Sequence, residues 1–142
     1  TFEAAAWLRS RGAETAATKR LFNISKEEYE ARAAIVEDAY LYKGCAIATS
    51  DELDPAMSVV LPMAANDLLT INGVDASFVA IAKNGGVNIS ARSMGDTNVQ
   101  VVLEKLGGGG NAATAGAQVP SGSVEEVLQR LLRAIDQYFE ED

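Results

Sequence analysis

The 142-residue sequence contains no histidine. That absence removes the side chain most often used as a general base near neutral pH and the commonest metal ligand, so catalysis resting on this chain alone is hard to assemble. There is one cysteine, Cys45, which has no partner for an internal disulfide. Set in an apolar run, it reads as a reduced, buried residue of a cytosolic protein rather than as a reactive thiol. No apolar run is long enough to span a membrane, and the amino end lacks the charged-then-apolar layout of a signal peptide. The expectation is a cytoplasmic domain, lying on the cytoplasmic side if a longer parent is membrane-anchored. Basic residues are also scarce: 12 Lys and Arg against 20 Asp and Glu leave a formal net charge of −8. Such a balance excludes a broad phosphate-tracking surface for duplex nucleic acid, while a small anionic ligand held by a few local donors stays open. The chain opens on Thr1, within helical character and without an initiator Met, and so reads as a segment of something longer.

What is present is a set of alternating helix and strand signals. The first forty or so residues are rich in Ala, Glu, Arg and Lys and read as helical, with Gly12 dividing two pieces and Trp7 as an anchor. Ser25 starts a capping box with Glu28, and Tyr29, Ala33, Val36 and Tyr40 follow at helical spacing, which predicts a helix ending near Gly44. Residues 45–49 suit a buried strand. Asp54-Pro55 then reads as a cap with Pro in the first helical position, opening a helix whose apolar face carries Val59, Val60, Met63, Ala64 and Leu68. Asn72-Gly73 breaks it.

Two β-rich runs, 77–83 and 87–92, flank Asn84-Gly85-Gly86, a strong hairpin signal. Thr97 with Gln100 predicts another capped helix, buried through Val99, Val102, Leu103 and Leu106 and stopped by Gly107 as a left-handed cap. A last strand is expected over 112–119. Ser123 and Glu126 cap a final helix that packs through Val127, Leu128, Leu131, Leu132 and Ile135, before an acidic end expected to fray. The fold class is therefore α/β: a mixed β-sheet flanked by helices, with a helical amino-terminal segment over residues 1–43 and a domain over 44–142.

Three features could carry chemistry. In GVNISARS, the polar residues Asn88, Ser90 and Arg92 alternate with Val87, Ile89 and Ala91 and share one face. Periodicity alone makes this an ordinary solvated sheet face; Arg92, at the strand end with a hydroxyl beside it, is also well suited to clasp a phosphate oxygen. Second, LGGGG spans residues 106–110. Gly107 suffices as a helix stop, so Gly108, Gly109 and Gly110 need another reason: inward-turned amides forming an anion nest, or close approach of a ligand to the main chain. The competing reading is a linker, and no known phosphate-loop pattern fits. Third, Asn98 and Asn111 can donate and accept, which suits reading a base edge or ribose, though turn and capping roles compete. The acidic groups Asp51, Glu52, Asp54 and Glu37, Asp38 match no metal spacing and read as solvated. Met57, Met63 and Met94 read as core fillers.

Taken together, ISARSMGDTNVQVVLEKLGGGGNAATAGAQ, residues 89–118, resembles the signature of the DHHA1 domain, the second domain of DHH phosphoesterases. The combination S-A-R-S-x-G-x-x-N-V-Q followed by L-G-G-G-G is most similar to cyclic-di-AMP phosphodiesterases of the GdpP/YybT type. The approach KRLFNISKEEYEARAAIVEDAYLYKGCAIA, from Lys19, is similar to the segment leading into DHHA1 there. The resemblance implies that a DHH domain in cis, absent from this chain, holds two manganese ions on Asp and His ligands and hydrolyses the phosphodiester, linearising the cyclic dinucleotide. This chain would then have no catalytic residue, cofactor or metal of its own. It would recognise a cyclic dinucleotide or short nucleotide through Ser90, Arg92, Asn98, Gly107, Gly108, Gly109, Gly110 and Asn111, with a homodimer left open. The family most often has His where this chain has Asn111, and Asn can neither carry a positive charge nor transfer a proton near neutral pH. Two rival readings follow: a domain of a nanoRNase-like or 3′-phosphoadenosine 5′-phosphate phosphatase-like enzyme, and a non-catalytic nucleotide sensor or interaction module.

Overall fold

The computed structural model describes residues 25–140; Trp7, Gly12 and the acidic end at 141–142 lie outside them. Helix α1 spans Lys26–Glu37, and the Ser25 hydroxyl caps it by accepting from the Glu28 amide at 3.0 Å. It ends well before Gly44. Residues Tyr40–Tyr42 form a short strand β1, which pairs antiparallel with β2, Cys45–Ser50, around Lys43 and Gly44, both at positive φ. Two aromatic residues beside a tight turn gain more from this pairing than from another helical turn. The expected helical stripe fails with it: Tyr29 and Ala33 are exposed, and Ile35 is the residue that α1 buries. Ile35 joins a core with Ala46, Ala48, Val60 and Leu68, which packs α1 against β2 and α2.

After β2 the chain makes a 3-10 turn over Pro55–Met57 before helix α2, Val60–Leu68. The helix thus starts later than Asp54-Pro55 suggests, and Val59 is left exposed. Strand β3, Ala76–Lys83, runs parallel to β2, and Ser77 ties α2 down by donating to the Ala65 carbonyl at 2.6 Å. Asn84 and Gly85, both at positive φ, turn β3 into the antiparallel β4, Gly86–Ser93. Helix α3, Val99–Glu104, is capped by Asn98, whose Oδ1 accepts from the Val101 amide at 3.3 Å. Thr97 does not cap it: its hydroxyl is buried and donates to Asp75 Oδ2 at 2.6 Å. Strand β5, Gly109–Gly110, and β6, Thr114–Val119, pair antiparallel, and α4, Val124–Glu140, closes the chain with Ser123 and Glu126 bonded as a capping pair.

The six strands lie in the order β1-β2-β3-β4-β6-β5, a mixed sheet with one parallel pair. One face carries Phe78, Ile89 and Ala117 against Leu103, Leu131 and Ile135 of α3 and α4. The opposite face is covered by α1 over β2 and by α2 over β3 and β4, where Val79 and Ile81 meet Val60 and Leu68. Over β6 that second face has no helix packed on it among the described residues. Strand alternation aims Asn88, Ser90 and Arg92 to that second face, together with Thr114, Gly116 and Gln118.

Candidate functional site

Beside α2, the sheet bears a groove of about 590 Å³ over β4 and β6. Its floor is built from Asn88, Ser90, Gly116 and Gln118, one wall is Leu61 and Pro62 of α2, and the other is the glycine loop from Gly107 to Gly109. The volume lies in the range of small-molecule sites. In register, Asn88 faces Gln118, Ser90 faces Gly116 and Arg92 faces Thr114 across the β4–β6 pair, while Gly109 faces Gly116 across β6–β5. At the Ser90 level, then, two successive rungs carry no side chain.

Arg92 lies two residues beyond Ser90 on the same face of β4, next to the groove but outside its lining. Its Nη1 donates to the Ser90 hydroxyl at 3.2 Å and to the Ala91 carbonyl at 2.8 Å. Both partners are neutral, and no carboxylate among the described residues forms an ion pair with it, whereas Arg32 and Lys43 are paired with Asp67 and Asp136. Partial burial pulls its pKa down from the ordinary value, yet a guanidinium stays charged in proteins. No acidic side chain lines the groove, although the chain carries a net charge of −8. A half-buried cation without a counter-ion, beside a hydroxyl, is a site for an anion's oxygens.

The four glycines divide by role. Gly107, at φ +84°, ends α3: its amide donates to Glu104 O at 3.1 Å and the Gly108 amide to Leu103 O at 2.8 Å, the paired bonds of a Schellman stop. These first two amides close the helix and do not point to a ligand. A Cβ at Gly108 would overlap the Gly116 carbonyl oxygen, and one at Gly110 the Thr114 carbonyl oxygen, so both glycines let the loop lie directly on β6. At Gly109 a Cβ would meet nothing within 4 Å. Gly109 is therefore the loop position that faces open space above Gly116.

Asn98 and Asn111 are occupied elsewhere. Asn98 caps α3, and its backbone amide donates to the Tyr138 hydroxyl at 2.9 Å. Asn111 Oδ1 accepts from the amides of Ala113 and Thr114, both at 2.9 Å, and its own amide donates to Thr114 O at 2.7 Å. This is an Asx turn holding β5 onto β6. Met94 is not a core filler; it is 70% exposed beyond Arg92. Sequence reasoning named Ser90, Arg92 and the glycines but missed Gly116, Gln118 and the α2 wall; the alternation of Thr114, Gly116 and Gln118 with Ala115, Ala117 and Val119 was the available signal. Among the described residues no group of three His, Cys, Asp or Glu side chains could hold a metal ion. No helix among them is long and apolar enough to cross a membrane.

The family model for the DHHA1 domain matches residues 43–141. The chain is 45% identical over 142 residues to the cyclic-di-AMP phosphodiesterase GdpP of Geobacillus thermodenitrificans, covering 99% of this chain and 22% of that protein. It is 39% identical over 141 residues to the cyclic-di-AMP phosphodiesterase PdeA of Listeria monocytogenes, covering 98% of this chain and 22% of the relative. The chain thus spans about a fifth of the length of these curated relatives. Among solved structures, an exopolyphosphatase-related protein from Bacteroides fragilis superposes with a TM-score of 0.75 at 19% identity, covering 84% of this chain and 37% of that one, a likeness of fold.

Proposed function

The chain belongs to the DHHA1 domain family, and from that membership we propose that it is the substrate-recognition part of a cyclic-di-AMP phosphodiesterase, with the hydrolytic centre in a separate DHH domain in cis. The observation that carries this reading is Arg92: a cation without a carboxylate partner among the described residues, bonded to Ser90 beside a groove free of acidic side chains. In this reading Arg92 and Ser90 hold a phosphate of the dinucleotide by charge-assisted hydrogen bonds. Gly109 and Gly116 leave the space that the ribose-phosphate needs, and α2 walls the groove so that the dinucleotide is held in one orientation. The domain positions the substrate and excludes water from one side of it. Two manganese ions in the DHH domain would supply the hydrolytic chemistry, by stabilising attacking and leaving oxygens.

The test compares this chain alone with this chain joined to its DHH domain. Both should bind the linear dinucleotide product, and only the longer protein, loaded with manganese, should open cyclic-di-AMP. If the longer protein ignores cyclic dinucleotides and instead cleaves short oligonucleotides or 3′-phosphoadenosine 5′-phosphate, the nanoRNase-like reading replaces this one. An upstream sequence without Asp and His metal ligands would make the chain a nucleotide sensor.

A further inference from the structure

We propose that Asn88 and Gln118 form the base-reading end of the groove and select adenine over guanine. This deepens the proposed function and rests on it. Asn88 and Gln118 are in-register neighbours on β4 and β6, both on the groove floor, and neither side chain makes a hydrogen bond to a described residue. Asn98 and Asn111 differ from them, since their side-chain carbonyls are both held by backbone amides. Along β4, Asn88 lies two residues, or about 7 Å, from Ser90. That is a separation a ribose bridges between its phosphate and its base. Leu61 and Pro62 stand over the same end of the groove as an apolar wall against which a flat base can lie. The recess beyond Asn88, lined by Leu53, Met57 and Ile81, holds only about 70 Å³ and is too small to seat a base.

The amide chemistry sets the preference. A carboxamide offers a donor and an acceptor side by side, which matches the exocyclic amine and adjacent ring nitrogen of adenine in a bidentate contact. The corresponding edge of guanine presents two acceptors, a pattern served by Arg or Lys; the groove lining carries neither, and Lys83, exposed at the end of β3, meets Asn88 and Gln118 only in the neighbouring recess. With guanine there, one amide oxygen would face a carbonyl oxygen.

The experiment titrates this chain with the linear dinucleotides pApA and pGpG and with inorganic phosphate. The wild-type chain should bind pApA about 10-fold more tightly than pGpG, a factor within the range for one bidentate amide–base contact. Asn88→Ala and Gln118→Ala should each bring that ratio toward one while leaving phosphate affinity and thermal stability unchanged, since neither side chain bonds to another described residue. Asn88→Asp should shift the ratio toward guanine, whose Watson–Crick edge donates twice. Equal affinity for the two dinucleotides, or an unchanged ratio in both alanine variants, overturns the base-reading role and leaves the nucleotide groove standing. Failure to bind either dinucleotide overturns the groove as a nucleotide site and this inference with it.

Discussion

Arg92 bends back along its own strand to place Nη1 3.2 Å from the hydroxyl of Ser90, with no carboxylate among the described residues to neutralise it. The arrangement resembles a phosphate site in which the hydroxyl and the guanidinium share one anion. Removing the cation should therefore weaken binding far more than folding. Arg92→Ala is expected to lower affinity for a linear dinucleotide by about 1.5–3 kcal/mol, the value of a hydrogen bond to a charged group. Arg92→Lys should restore part of it, because the ammonium supplies charge without the planar fork. Calorimetric titration of the three proteins measures this; an unchanged affinity in the alanine variant would remove Arg92 from the site.

The glycine loop makes opposite predictions at adjacent positions. Gly108→Ala and Gly110→Ala drive a methyl group into carbonyl oxygens of β6, which the backbone can relieve only by moving, at about 1–3 kcal/mol or more. Gly109→Ala meets nothing, so its effect on stability should stay within about 0.5 kcal/mol. Its methyl group nevertheless enters the groove and should weaken dinucleotide binding. Urea denaturation and ligand titration on the same three variants separate the two effects; equal stability loss at all three positions would show that the loop does not lie on β6 as described.

Asn111 acts through its side-chain oxygen, which holds two backbone amides. Asn111→Asp keeps an acceptor and should preserve thermal stability. Asn111→Ala loses both bonds and should cost about 1–2 kcal/mol, discounted from the sum of two bonds because the turn is exposed. Melting curves of the two variants decide the matter, and a stable alanine variant with lost nucleotide binding would instead make Asn111 a ligand contact.

Burial first, and the charge of Asp75 second, push the Cys45 thiol up to about 11. An exposed thiol ionises near 8.5. Between those values the folded chain keeps a proton that the unfolded chain releases, so the contribution of Cys45 to stability is full below about pH 8.5 and is lost as pH rises toward 11. Cys45→Ala should flatten the fall in stability across that window, measured by urea denaturation. The native thiol should also resist thiol reagents at pH 8 and react only on unfolding; rapid labelling of the native chain would contradict its burial.

Local features were readable wherever a few neighbouring residues decide the outcome. Ser25 and the Ser123–Glu126 pair cap their helices, Gly107 stops α3, and Asn84-Gly85 turns a hairpin, because each of these depends on backbone conformation and bonds within a few positions. Reading failed where a distant partner intervenes. Thr97 and Asn98 are both able to cap α3, and Asn98 does so because Asp75 engages the Thr97 hydroxyl from 22 positions away. Tyr40 fits the spacing of a helix but pairs with Ile47 in β2.

The amino-acid sequence by itself determined the alternation of strands and helices, the acidic character, and the presence of Ser90 and Arg92 on one strand face, since period-two alternation and capping chemistry are properties of contiguous residues. Only the tertiary structure decided that this face forms a groove, because α2 reaches no further than β4 and leaves β6 to the glycine loop. It also decided which glycine faces the groove, as that depends on how closely the loop approaches β6 and on the β4–β6 register that brings Gly116 opposite Ser90. Register between strands more than twenty residues apart is fixed by packing both faces of the sheet at once, and no single stretch of the chain contains that condition.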